Sequence, residues 1–328
     1  MAMTPLIEQR PEGLYCPAGD FYIDPWRPVE RAVITHAHAD HARSGHQHYL
    51  SHVDAAEMLK TRLGSSISLQ TLNYAEVIKL GDVQLSLHPA GHVLGSSQIR
   101  MVHQGQVWVV SGDYKIEAEP SCQAFEPLRC DVFVTESTFA LPIYCWEPQS
   151  TVVEQISAWW QANAAKGIYS VLYAYSLGKA QRLAMALPEG PVWVHPAVDA
   201  IHACYRNAGR KIPLMPCWRG EQKPPAGSLL LVPPAIADSS ALSRLAGYED
   251  ASVSGWMRLR GIRRRRALDR GFVMSDHADW PGLLWAIRQT GAQKIFVTHG
   301  QVDVLVRYLC EQGLDAAPLQ ALGWGEDV

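Results

Sequence analysis

The chain has 328 residues, of which 48% are hydrophobic and 19% are charged, and its formal net charge at pH 7 is −3. This composition is that of a globular protein and excludes a disordered or fibrous chain, while the length predicts two domains or one large domain with an insertion. The small negative charge excludes a general attraction to a polyanion, so affinity for nucleic acid must come from local basic patches or from metal ions.

We expect no targeting signal from the first residues of the sequence. Residues 1–10 lack the basic region, apolar stretch and small-residue cleavage site of a secretory leader, and no segment reaches the length of a membrane span. We therefore expect a cytoplasmic protein that does not enter a membrane.

Several short apolar segments are followed by a residue whose polar side chain can bind a metal or transfer a proton. Apolar and β-branched residues predominate in them, so each segment predicts a strand. In chain order, the segments and the residues that follow are 31–35 with His36, 83–87 with His92, 107–110 with Asp113, 132–135 with Glu136, and 294–298 with His299. We expect these side chains to gather where the strands end, in one site built from sequence-distant loops.

The densest group of candidate ligands is the segment His36-Ala-His38-Ala-Asp40-His41, which follows the first of these strands. His36 and His38 can project to one side of an extended segment and chelate one ion, while Asp40 and His41 turn towards a second. Imidazole and carboxylate are the usual ligands of zinc. The segment therefore predicts a metal site, and the alternative is a solvated polar loop with accidental spacing.

The pattern of predicted secondary structure changes between residues 144 and 270. Residues 151–166 predict an amphipathic helix closed by Gly167, and a strand over 171–175 follows before a Gly-Lys turn. Residues 212–239 are rich in proline and glycine, which predicts mainly loops. We interpret 144–270 as an inserted α/β domain.

The order of the candidate ligands resembles the metallo-β-lactamase superfamily. His36-x-His38-x-Asp40-His41 is similar to its signature, and Ile23-Asp24, Gly91-His92 and Ser111-Gly-Asp113 are similar to its first, third and fourth motifs. The resemblance implies an αββα sandwich that holds two divalent metal ions, with zinc favoured and manganese as an alternative. It also implies a ligand assignment: His36, His38 and His92 for one ion, Asp40 and His41 for the other, Asp113 as the bridge, and Asp24 as a support behind the ligands.

Three later segments narrow the resemblance to the β-CASP nucleases, which carry an insertion inside the lactamase fold. Val134-Thr-Glu136-Ser-Thr138 resembles their motif A, Ser275-Asp-His277-Ala-Asp279 motif B, and Val297-Thr-His299-Gly300 motif C. The implied organisation is a metallo-β-lactamase domain over 1–143 and 271–328 with a β-CASP domain over 144–270. It makes His299 a ligand of the second ion, and it assigns the chemistry to Asp40 and to His277, which Glu136 orients.

Two further segments are candidates for substrate binding. Tyr175-Ser176-Leu-Gly178-Lys179-Ala-Gln181 is similar to the Leu-Gly-Arg/Lys-Ala-Gln segment of the β-CASP insertion. Ser176 and Lys179 can hold a phosphate at a helix N-terminus, and a plain strand-to-helix turn is an equal alternative. The basic cluster of Arg258, Arg260, residues 263–266 and Arg270 is interpreted as a track for a phosphate backbone, against the alternative of a solvated face.

By this resemblance the chain is a phosphodiesterase that acts on nucleic acid through a hydroxide activated by two metals. Its length and insertion resemble the bacterial ligase-associated DNA exonucleases, which predicts a 5′ to 3′ DNA exonuclease in repair, partnered by a DNA ligase or helicase system. An RNA-processing endonuclease or exonuclease is the alternative, because Glu136 and His299 are similar to the mRNA 3′-end-processing enzymes. Less favoured are a small-molecule hydrolase, since such relatives lack the insertion, and an inactive binding subunit, since no expected ligand is replaced.

Overall fold

The computed structural model describes residues 5–245, 247–265 and 267–319, except for the side chains of residues 262 and 263. The chain divides into two compact units, of which the first is Met1–Pro142 with His277–Val328 and the second is Ile143–Asp276. The second unit contains residues 144–270, which are the predicted insertion, together with Ile143 and residues 271–276. Residues 271 and 272 belong to it because a strand over Arg270–Phe272 pairs with the sheet of that unit.

The first unit contains two β-sheets. The six-stranded sheet has the order β1-β2-β3-β4-β5-β6, with β1 (Glu8–Arg10), β2 (Gly13–Cys16), β3 (Phe21–Ile23), β4 (Arg31–Val33), β5 (His48–His52) and β6 (Leu69–Leu72). The seven-stranded sheet consists of β7 (Val77–Leu80), β8 (Val83–Pro89), β9 (Ser97–His103), β10 (Gln106–Val110), β11 (Val132–Ser137), β17 (Lys294–Gly300) and β18 (Asp315–Pro318). Its order is β18-β17-β11-β10-β9-β8-β7.

Both sheets contribute side chains to one apolar core. Leu14 and Val33 come from the first sheet, and Leu85, Ile99 and Val134 come from the second. Helix α1 (Ala56–Leu63) follows β5, and α7 (Trp280–Thr290) and α8 (Val302–Glu311) pack with residues of the seven-stranded sheet in a further apolar cluster. Because alternate residues of a strand point to opposite faces, the sheet can bury one face against strands and the other against helices. The predicted mixed α/β class is confirmed.

The second unit is built on a five-stranded parallel sheet with the order β13-β14-β12-β15-β16. Its elements in chain order are α2 (Gln149–Ala165), β12 (Tyr169–Tyr173), α3 (Lys179–Ala186), β13 (Val192–Val194), α4 (Pro196–Asn207), β14 (Leu229–Val232), α5 (Ser240–Ser243), β15 (Tyr248–Val253), α6 (Arg260–Arg265) and β16 (Arg270–Phe272). Side chains of α2, α3 and α4 share an apolar cluster with the sheet. Among the described helices of both units, none combines the length and the apolarity that crossing a membrane requires.

The prediction of mainly loops over residues 212–239 is confirmed, except for one strand that it did not include. Residues 212–239 do contain long loops, but they also include β14, which lies between β13 and β12 in the sheet. All four residues of β14, Leu229–Val232, are buried. A strand covered on both faces has a continuous apolar sequence without alternation, and the surrounding prolines and glycines concealed this short run.

Candidate metal centre

The predicted ligands follow strands in a regular way. His36, His92 and Asp113 each come three residues after the end of β4, β8 and β10, and Glu136 and His299 are the last but one residues of β11 and β17. Because β10, β11 and β17 are parallel neighbours, their carboxyl ends lie at the same edge of the seven-stranded sheet. This explains how residues distant in sequence reach one site.

Three imidazoles and one carboxylate form the centre of the site. The Nε2 atoms of His36 and His92 lie 3.1 Å and 3.0 Å from Nδ1 of His38. Oδ2 of Asp113 is 3.4 Å from His36 Nε2 and 3.8 Å from His92 Nε2. His36, His92 and Asp113 are buried, and His38 is partly exposed. The structure therefore brings together the ligands predicted for the first ion, with Asp113 beside them.

This donor set fits a divalent ion. Nitrogen atoms that bind zinc tetrahedrally at about 2.0–2.1 Å lie about 3.3 Å apart, close to the separations of 3.0 Å and 3.1 Å found here. A neutral imidazole nitrogen accepts one hydrogen bond, so two histidine donors cannot both be satisfied at the same Nδ1 atom. The second oxygen of Asp113, Oδ1, is buried, and no hydrogen bond from the described part of the chain reaches it.

The residues predicted for the second ion surround His41. His41 Nε2 lies 3.6 Å from Asp40 Oδ2 and 3.4 Å from Asp113 Oδ2, so Asp113 contacts both ligand sets, as a bridging residue must. His299 is farther away, since its ring centroid is 6.0 Å from that of His41. The side chains of this second set lie farther apart than those of the first set, and the assignment of the second set to a metal stays a prediction.

The backbone is strained where His299 meets the end of β11. His299 has a φ of 55°, in the left-handed region that residues with a Cβ atom rarely adopt. At Gly300, which has a φ of 88°, a Cβ atom would lie 2.5 Å from the carbonyl oxygen of Ser137. The Ser137 hydroxyl donates to the His299 carbonyl. Strain of this kind is concentrated at functional sites, because the surrounding structure must hold the residue in place.

The charges of the site favour metal binding. Burial, reinforced by the neighbouring His41 ring, lowers the pKa of His36 well below its ordinary value, so His36 is in the neutral form that binds metals. Burial also acts to lower the pKa of His41, but the carboxylates of Asp113, Asp40 and Asp24 outweigh it and raise that pKa well above the ordinary value. Burial alone would raise the pKa of Asp113, whereas the surrounding histidines, His41 foremost, lower it. A cation that binds at His41 must therefore displace a proton.

Asp24 lies behind the ligands and contacts His41, and its role as a support for the ligands stays a prediction. Its Oδ2 atom lies 2.7 Å from His41 Nδ1, which directs Nε2 of the same ring towards Asp113. The backbone N–H of Thr35 donates to Asp24 Oδ1 at 2.7 Å, and the Thr35 hydroxyl donates to Asp24 Oδ2. Asp24 itself is fully buried. A carboxylate in this position fixes the orientation of the imidazole and strengthens it as a ligand.

Substitution Asp24→Asn is expected to weaken zinc binding by about 10-fold to 100-fold, because it removes the charge that orients His41. The measurement is competition for zinc with a chromogenic chelator. Asp20→Asn, on an exposed residue of the same region, serves as the control and leaves the affinity unchanged. An Asp24→Asn protein that folds normally and retains full zinc affinity would contradict this role.

Next to the ligand cluster is a histidine–carboxylate pair. His277 Nδ1 lies 2.9 Å from Glu136 Oε2, and the role of Glu136 in orienting His277 stays a prediction. Sequence reasoning missed the groups that hold Glu136 in turn: the Tyr114 N–H donates to Oε1 at 2.7 Å, and the Thr138 hydroxyl donates to Oε2 at 2.6 Å. Thr138 lies within motif A, whereas a backbone donor such as that of Tyr114 leaves no signal in the sequence. Glu136 is buried and the His277 side chain is 19% exposed, so His277 is accessible to a substrate.

The segment predicted to bind phosphate is a strand-to-helix turn in the second unit. Lys179 is buried, and its Nζ atom lies 3.2 Å from Asp276 Oδ2. The Ser176 carbonyl accepts a hydrogen bond from the Gln181 side chain. This placement favours the structural alternative for Lys179, and phosphate binding by Ser176 and Lys179 stays a prediction.

The basic cluster also belongs to the second unit. Arg258 and Arg260 are exposed, and Arg258 Nε donates to the Ile143 carbonyl at 3.1 Å. Residue 266 and the side chain of residue 263 lie outside the described residues. Exposed arginines can contact phosphates, and this role stays a prediction.

Comparison with known proteins identifies relatives with names from nucleic-acid metabolism. No protein-family model matches the chain. The chain is 29% identical over 309 residues to a protein of Opitutus terrae named "Probable DNA ligase", an alignment that covers 93% of the chain and 30% of the relative. It is 26% identical to "Endoribonuclease YSH1" of Eremothecium gossypii, covering 37% of the chain and 16% of the relative. It is 24% identical to "Transcription termination factor FttA" of Methanosarcina mazei, covering 56% of the chain and 37% of the relative.

The chain thus spans well under half the length of these three relatives. Among solved structures, a protein of unknown function from Enterococcus faecalis V583 matches with a TM-score of 0.57 and 13% identity, over 88% of this chain and 78% of that one. This similarity shows a shared fold and carries no information about activity.

Proposed function

We propose that this chain, which belongs to the β-CASP group of the metallo-β-lactamase superfamily, is a metal-dependent nuclease that cuts phosphodiester bonds in DNA. The observation that supports this most is the pairing of His277 with Glu136 next to the cluster of His36, His38, His92 and Asp113. In this proposal the first unit is the metallo-β-lactamase sandwich and the second is the β-CASP insertion. Ligand residues and a separate proton carrier are what phosphodiester hydrolysis requires.

Bound divalent ions, with zinc favoured and manganese as the alternative, would stabilise charge on the phosphate and activate the attacking water. The protein groups do the rest. His36, His38, His92 and Asp113 hold the first ion. His277 keeps Nδ1 towards Glu136, which leaves Nε2 to carry the proton for the departing oxygen, and the Glu136 carboxylate stabilises the protonated ring.

We favour DNA over RNA because of the extent of the similarities. The relative named as a DNA ligase aligns with 93% of the chain, whereas the endoribonuclease of Eremothecium gossypii aligns with 37%. The finer proposal is a 5′ to 3′ DNA exonuclease that prepares ends in the cytoplasm for a DNA ligase, with a helicase as a further partner of the same system. An RNA-processing nuclease is the second candidate, since several relatives are named endoribonucleases.

The function is tested by incubating the purified protein and Mn²⁺ or Zn²⁺ with end-labelled single-stranded DNA, RNA of the same sequence, and a chromogenic β-lactam. We expect DNA to be shortened from its 5′ end, with little change in the RNA and the lactam. DNA blocked by phosphorothioate linkages at the 5′ end should resist, and DNA blocked at the 3′ end should not. A circular single-stranded DNA serves as the control, because an exonuclease finds no end on it.

Each other outcome rejects a defined part of the proposal. Cleavage of RNA alone would reject DNA as the substrate and leave the nuclease assignment intact. Cutting of the circular DNA would reject the exonuclease mode. Turnover of the lactam without cleavage of either polymer would reject the nuclease altogether.

A further inference from the structure

The turn that starts α3 has a defined local structure. Gly178 has a φ of 90°, which a residue without a Cβ atom adopts freely. Its N–H donates to Gln181 Oε1 at 2.7 Å, and the Gln181 amide donates to the Ser176 carbonyl at 2.9 Å. Gly178 and Gln181 thus fix how α3 begins, and the side chains of Lys179 and Arg182 are fixed with it.

Lys179 and Arg182 both bind one carboxylate, that of Asp276. Lys179 Nζ lies 3.2 Å from Asp276 Oδ2, and Arg182 Nη1 lies 3.1 Å from Asp276 Oδ1. Arg182 Nη1 also donates to the backbone carbonyl of Ser275 at 2.9 Å. The three charged side chains are between 1% and 4% exposed. The backbone of residues 275 and 276 is therefore clamped to α3 within the second unit.

Stability alone does not account for this clamp. Taking three charges out of water is costly, and well-packed apolar side chains in place of a buried ion pair are often as stable or more stable. The ion pairs do give Asp276 a single position, because the two cations contact its two oxygens separately. A fixed position of Asp276 also constrains the backbone of the residue that follows it.

The residue after Asp276 is His277, and it is held separately within the first unit. His277 Nδ1 lies 2.9 Å from Glu136 Oε2, and the N–H of Ala278 donates to the Tyr114 carbonyl at 2.7 Å. One peptide bond joins the clamped residue to the proposed proton carrier. A displacement of about 1 Å at a reacting group can lower a rate by about 100-fold.

We propose that Lys179 and Arg182 are positioning residues for His277, which act through the carboxylate of Asp276. This proposal rests on the proposed function of His277 as the proton donor to the leaving oxygen. It gives the Gly178-Lys179-Ala-Gln181 segment a role in catalysis that does not require contact with the substrate.

The test compares two substrates in the metal-loaded enzyme. DNA has a leaving group that needs a proton, whereas bis(p-nitrophenyl) phosphate has one that leaves without it. Arg182→Ala is expected to lower kcat on DNA by about 10-fold to 100-fold with KM nearly unchanged, and to leave the nitrophenyl ester unaffected. Arg182→Lys should recover most of the rate, and Arg182→Ala should cost nothing further when His277 is already alanine. Arg206→Ala, in a partly exposed ion pair of the same unit, is the matched control.

A second readout does not depend on activity. In protein labelled with ¹⁵N-histidine, Arg182→Ala and the milder Lys179→Met should shift the ring signals of His277, assigned with His277→Ala, and leave those of the exposed His48 in place. Equal losses on both substrates, additive losses with His277→Ala, or unchanged His277 ring signals would overturn the positioning role. A wild-type enzyme that cleaves neither substrate would instead reject the proposed function, and the ring signals would still decide the positioning role.

Discussion

Asp113→Asn is expected to reduce DNA cleavage by about 10³-fold to 10⁴-fold, because loss of a ligand shared by two ions removes several kcal/mol of transition-state stabilisation. Asp113 Oδ2 lies within 3.8 Å of three imidazole nitrogens, those of His36, His41 and His92. Asparagine keeps the shape of the side chain and removes its charge. The protein should therefore fold normally and bind less metal.

Two measurements check this expectation together: the rate on end-labelled DNA and the metal content by mass spectrometry. Asp82→Asn, on an exposed aspartate that is 4.0 Å from Lys79, is the matched control and should change neither. An Asp113→Asn protein with full metal content and full activity would show that Asp113 is not a shared ligand.

The second large effect is expected at His277. His277→Ala should lower kcat on DNA by about 10²-fold to 10⁴-fold, the range for loss of a general acid, while the metal content stays normal. The loss should nearly vanish on bis(p-nitrophenyl) phosphate, whose leaving group needs no proton. His48→Ala, at an exposed histidine outside the site, is the control.

Glu136 should act through His277. Glu136→Gln is expected to reduce kcat less than His277→Ala, and the double variant should resemble His277→Ala alone, because the two residues form one hydrogen-bonded unit. Additive losses would mean that Glu136 acts independently of the histidine. A large loss of bound metal in His277→Ala would show that His277 is a metal ligand and not the proton carrier. Asp113, Glu136 and His277 lie close enough together to hold an ion.

The sequence predicted best what is local along the chain. His36, His38 and His41 fall in one short segment after β4, so their chemistry is visible without a structure. The strands that carry the site could also be predicted, because each is a short apolar run that stops at a polar residue. By contrast, the pairing of His277 with Glu136 joins residues distant in the chain, and only the resemblance to a family indicated it.

What could not be predicted depends on contacts between distant segments. β14 is a central strand, but its four apolar residues follow a region rich in proline and glycine. Lys179 has the sequence context of a phosphate-binding residue, and the structure pairs it with Asp276 instead. A lysine next to a helix N-terminus can bind a substrate phosphate or a carboxylate of the same chain. The sequence alone could not distinguish these two partners.

We propose that this site cuts DNA with bound metal ions. The most direct measurement is the restoration of cleavage by metal in protein stripped with a chelator, with Asp113→Asn prepared in parallel. We expect the stripped wild-type protein to be inactive and to regain activity on addition of Zn²⁺ or Mn²⁺. The restored wild-type protein should cleave DNA about 10³-fold to 10⁴-fold faster than Asp113→Asn. Cleavage that survives chelation, or that is equal in the wild-type and Asp113→Asn proteins, would contradict the claim.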